Sequence, residues 1–127
     1  MIDTWLISKY CEVDVSGQVL RDAIRTEAPT VASELRDVLT RLTSTEEQLA
    51  RLLPVLEQDL RGVEQNLTAG PGDRAPLVES VGVLQARAPR LDALVARRAA
   101  QIEHLQSLTR VWVAQQADPP ATSTAQQ

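Results

Sequence analysis

The chain has no phenylalanine, and Trp5, Tyr10 and Trp112 are its whole stock of rings. A compact globular core uses rings as bulk and a nucleic-acid reader uses them for stacking, so both become poor fits. Leu, Val and Ala must then supply the core, which suits helices lying side by side. Cationic runs are missing too: the net charge is -4 and the Arg residues are scattered among acidic ones. Nothing in it can track a phosphate backbone or an anionic membrane, so neither is expected as a partner.

Cysteine and histidine are nearly absent, with one Cys (Cys11) and one His (His104). A lone Cys forms no internal disulfide, which fits a reducing compartment, and a lone His leaves a metal centre without ligands. No apolar run is long enough to span a bilayer, and MIDTWLISKYC has neither the basic start nor the apolar stretch of a signal peptide. The expected location is cytoplasmic. Glycines number only five, and GPGDR at 70–74 has neither a preceding strand pattern nor the Lys of a phosphate-binding loop.

What the chain does have is helical periodicity. Residues 1–15 are ambiguous: Ile2, Trp5, Leu6 and Tyr10 follow helical spacing after Asp3, while Cys11, Val13 and Val15 alternate like a strand. Ser16 then reads as an N-cap for a short amphipathic helix near 17–28, with Val19, Leu20, Ala23 and Ile24 on one face and Pro29 beyond it. From Thr30 to Leu67 apolar residues recur every three or four positions without a loop signal. TAGPGDRAP at 68–76 reads as a reverse turn, with Gly70 as a left-handed C-cap, Pro71 as a stop and Asp73 as the next cap. A second long helix is expected over 74–117, with Pro76 in its first turn, followed by DPPATSTAQQ at 118–127 as a disordered tail.

Both long helices carry a heptad seam of a and d positions. The first runs Ala32, Leu35, Leu39, Leu42, Glu46, Leu49, Leu53, Leu56, Leu60, Val63, Leu67. The second runs Leu77, Val81, Leu84, Ala88, Leu91, Val95, Arg98, Ile102, Leu105, Thr109, Trp112. A sustained repeat of this kind is the pattern of a coiled coil. Folding back at 68–76 sets Leu67 against Leu77, Leu56 against Ala88, Leu49 against Val95 and Ala32 against Trp112. The same register sets Glu46, the charged residue of the first seam, against Arg98, the charged residue of the second, a device that can fix register. Pro54 and Pro89 interrupt this pattern, both at b positions one residue after the seam. Each costs about 3 kcal/mol in a helix interior, so either the helices break there or the burial beside them carries the cost. A continuous pair of helices with a matched kink is expected.

The g positions divide the two sides of such a hairpin. Val31, Val38, Leu52, Leu94 and Leu108 make one side an apolar groove, with Asp59 beside Arg87 nearer the turn. The e side, with Arg36, Glu57, Glu64, Gln85, Asp92 and Gln106, is polar. The groove needs a cover, which is either the 17–28 helix or a second copy of the hairpin.

Catalytic chemistry has little to work with. His104 falls at an outward c position, Cys11 has no base in sequence to activate it, and pairs such as Glu46 with Glu47 sit on solvated helix faces. No enzyme and no cofactor are expected.

The expected fold is all-α: a single domain over 1–117 in which 30–67 and 74–117 form an elongated antiparallel hairpin. The 1–28 segment, with its short helix, packs at the open end. The expected function is non-enzymatic, a helical interaction or scaffold protein that binds a protein partner or itself, as a homodimer, through Val31, Val38, Leu52, Leu94 and Leu108. The alternative is a small acidic inhibitor or regulatory partner, such as an antitoxin, immunity protein or secretion chaperone. It would occlude a basic surface of its target with acidic faces near Glu57, Asp59 and Glu64.

Overall fold

A computed structural model describes residues 4–24, 29–72 and 80–117, with the backbone alone for 80–84. These residues are helical without strands and form α1 (Trp5–Cys11), α2 (Gly17–Ala23), α3 (Val31–Thr68) and α4 (Ser80–Ala117). The expectations placed on Ile2 and Asp3, on 25–28, on Asp73, Pro76 and Leu77, on the side chains of Val81 and Leu84, and on the 118–127 tail lie outside the described residues.

Each boundary has a local cause. The ambiguous N-terminal stretch divides in two. Its first part is α1, ended by Glu12 in the left-handed region (φ 57, ψ 31) whose N–H returns to Ser8 O. Its second part, Val13 to Val15, has no regular secondary structure, and burial alternates there residue by residue as the strand-like spacing requires, with no strand to join among the described residues. The Oγ of Ser16 accepts from Val19 N and starts α2, which leaves helical geometry at Ile24 (ψ 127). Thr30 and Ser33 cap α3 reciprocally: Thr30 Oγ1 accepts from Ser33 N at 3.1 Å, and Ser33 Oγ accepts from Thr30 N at 2.8 Å. This is a capping box with Ser in the place of the usual Glu or Gln. After α3 the glycine with positive φ among the described residues is Gly72 (φ 92) and not Gly70.

Neither proline ends a helix, and α3 and α4 continue through Pro54 and Pro89. Both prolines are exposed, as are Ala50 and Gln85, whose carbonyls lose their helical donor. Water can serve those carbonyls, which removes the largest part of the penalty.

The chain divides into two compact units, to both of which α3 and α4 contribute. One unit comprises the chain up to Thr43 and from Ala99 onward; the other is Ser44–Arg98. In the first, α1, α2 and the outer ends of α3 and α4 enclose a core of Leu6, Ile7, Leu20, Leu35, Leu42 and Leu105, with Ala32 and Trp112 both buried as a small and large pair. Rows a, d and g of α3 are all covered here, through Leu39, Leu35 and Val38. In the second unit α3 packs against α4 alone among the described residues.

Candidate interaction surface

In the Ser44–Arg98 unit, burial does not follow the a and d rows. Leu49 and Leu56 at d are buried, and so is Leu94 at g, while the a residues Leu53, Leu60 and Val95 are 48%, 56% and 51% exposed. The seam has turned from a/d to d/g. Two ion pairs cross between the helices, one of g residues in the new seam and one of the a residue Glu46 with the d residue Arg98. Arg87 Nη1 donates to both carboxylate oxygens of Asp59, at 3.0 and 2.8 Å, and Arg98 Nε donates to Glu46 Oε2 at 3.0 Å. The Asp59 side chain keeps 13% of its exposure, so it belongs to the seam and not to the rim.

The turn of the seam has an electrostatic reason. Burying the e row beside a would take Glu57, Glu64 and Asp92 out of water with Arg61 as the near cation, whereas the g row offers Leu52, Leu94 and the matched Asp59–Arg87 pair. The d/g choice also leaves the b positions of Pro54 and Pro89 on the side away from the seam, where both are exposed.

The register fixed by the two ion pairs sets Val95 level with Leu49, just beyond Leu53, and Ala88 level with Leu56, between Leu53 and Leu60. An apolar strip therefore runs along one side of this unit. It continues through Leu67, which is exposed one heptad beyond Leu60. Its borders are the exposed carboxylates Glu57, Glu64 and Asp92, with Arg61 at the edge.

The residues expected to line an open groove lie elsewhere in the packing. Val38 is buried, and Val31 and Leu108 pack half-buried against the same core. In the other unit Leu94 is buried and Leu52 half-buried. All five are seam or core side chains within this chain, the outcome weighed above for a groove filled from within. The last turn of α1 meets α4 on its e side, which the sequence presented as polar: Gln106 Nε2 donates to Tyr10 O at 3.1 Å. The e row is thus used for packing in one unit and left to solvent in the other.

That N-terminal contact borders an open cavity of about 670 Å³, lined among others by Cys11, Val13, Thr109, Arg110 and Val113. The Cys11 thiol donates to Thr109 Oγ1 at 3.6 Å, a hydroxyl that gives it no base. His104 is exposed on α4. Among the described residues there is no cluster of His, Cys, Asp and Glu that could hold a metal ion, and no helix is long and apolar enough to cross a membrane.

The chain matches no family model, no curated protein and no solved structure.

Proposed function

We propose that this protein is a non-enzymatic helical interaction module, cytoplasmic, that binds a protein partner through the exposed side of the Ser44–Arg98 unit. The observation that carries the reading is the strip of Leu53, Leu60 and Val95, apolar and exposed on one side of a helix pair whose own seam is already closed by d and g residues. Single exposed leucines are ordinary on a protein surface, but a row repeated at heptad spacing is what one helix offers another.

A photo-crosslinking residue placed at Leu60 in the producing cell tests it, with the same residue at Gln48 on another face as the control. A discrete crosslinked protein is expected at Leu60 and none at Gln48, and Leu60→Glu is expected to abolish the complex that the crosslink reports. Identical labelling at both positions, or none at either, would count against an interaction surface here.

The regulatory reading has its own observation in the carboxylates that border the strip. Occlusion of a basic target would be the mechanism, with Glu57 and Glu64 outermost and Asp59 held back by Arg87.

A further inference from the structure

We propose that the occupant of the Leu53–Leu60–Val95 strip is an amphipathic helix of a different protein, carrying apolar residues at helical spacing and Lys or Arg on both flanks. The inference rests on the strip being an interaction surface, as proposed above, and adds the chemistry of what it binds. Two antiparallel helices closed through d and g leave a shallow trough on the a side, and a third helix laid into it would meet Leu53 and Leu60 from α3 and Val95 from α4. This is helix-in-groove recognition, read through anchors at i, i+3, i+4 and i+7.

The borders select the sign of the partner. Glu57, Glu64 and Asp92 are exposed beside the apolar row, against the single Arg61 at its edge. A second copy of this chain would bring those carboxylates against their own images: an antiparallel pair sets Glu57 near Glu64 of the other copy, and a parallel pair sets each against itself. Like charges placed across an interface work against that pairing, whereas cationic flanks turn the same three groups into attractions and speed encounter. An uncharged apolar partner would leave the carboxylates desolvated without counter-charge, which is costly.

The probe is a synthetic peptide of about five helical turns with Leu at a and d and Lys at e and g, compared with its Glu-flanked counterpart and with a scrambled Lys peptide of equal charge. Binding to the full chain is followed by fluorescence anisotropy at low and high salt. The Lys-flanked amphipathic peptide should bind at least about tenfold more tightly than either control and lose affinity as salt rises. The double variant Glu57→Lys/Glu64→Lys should move preference toward the Glu-flanked peptide with an unchanged helical circular-dichroism spectrum. Equal binding of the scrambled Lys peptide would reduce the effect to bulk charge and overturn the proposal, and so would equal binding of both flanked peptides or of none. Self-association that Leu60→Glu abolishes would install a second copy as the occupant. That result overturns the heterologous helix while leaving the interaction surface standing.

Discussion

The two units of this chain use one heptad pattern in two ways. Around α1 and α2, the helices α3 and α4 bury three rows, with Leu39 at a, Leu35 at d and Val38 at g all nearly inaccessible. In Ser44–Arg98 the same helices bury two rows, and the a row that was interior in the other unit stands exposed at Leu53 and Leu60. The difference lies in the neighbours and not in the leucines. Where short helices supply a further layer, three rows have something to pack against. Where, among the described residues, α3 has α4 alone, a pair of helices can close two rows, and the choice between a/d and d/g falls to the charges beside them.

Removing the extra layer should therefore damage one unit and spare the other. Leu20 is fully buried and is the anchor of α2 in the core. Leu20→Ala should destabilise its unit by about 3 kcal/mol, the usual cost of truncating a buried leucine when the site cannot collapse around the loss. Amide exchange read by residue is the sharper measurement. Protection should fall in Leu35 to Leu42 and around Leu105, and stay unchanged from Leu49 to Leu56. A uniform loss across α3 would mean that the units do not respond separately, and the comparison would fail.

The second unit depends instead on its paired charges. A double-mutant cycle at Asp59 and Arg87, measured by chemical denaturation, should give a coupling of about 1 kcal/mol. The value is held down by the exposure of Arg87, at 39%, although Asp59 keeps only 13%. Replacing both with leucine should cost little or even stabilise, since an apolar d/g layer needs no desolvated charge. Additive single effects would show that the 2.8 Å contact does not hold the seam.

Much of this was readable from the sequence, and the part that was not has a specific cause. Periodicity alone placed the two long helices and the opposition of Glu46 to Arg98, because these depend on spacing along the chain. Ser16 announced α2 because a cap is a local hydrogen bond. What spacing could not settle is the rotation of each helix about its own axis. With Leu at a, d and g together, several faces are apolar enough to pack, and the decision rests on small electrostatic differences among neighbours such as Glu57, Asp59 and Asp92. The acidic e row was visible in the sequence and was the available signal that the a row beside it would remain outside. Gly72 was missed for a simpler reason: two glycines in close succession, Gly70 and Gly72, leave the left-handed position free to move along the loop.

The smallest effect bears hardest on the prolines. If the seam of Ser44–Arg98 is d/g, then Leu53, one residue before Pro54, contributes little to folding although it belongs to an apparent leucine zipper. Leu53→Gln should change stability by less than about 0.5 kcal/mol, because a side chain already about half in water loses little burial when it becomes polar. Leu52→Gln beside it should cost more, about 1 to 2 kcal/mol, because that residue is half-buried in the seam. A loss at Leu53 equal to that at Leu52 would restore the a/d seam and turn Pro54 toward the packed side, where its missing hydrogen bond would have no water to complete it. The ratio of these two adjacent substitutions therefore reads the rotation of the helix directly, and with it the reason a proline is tolerated there.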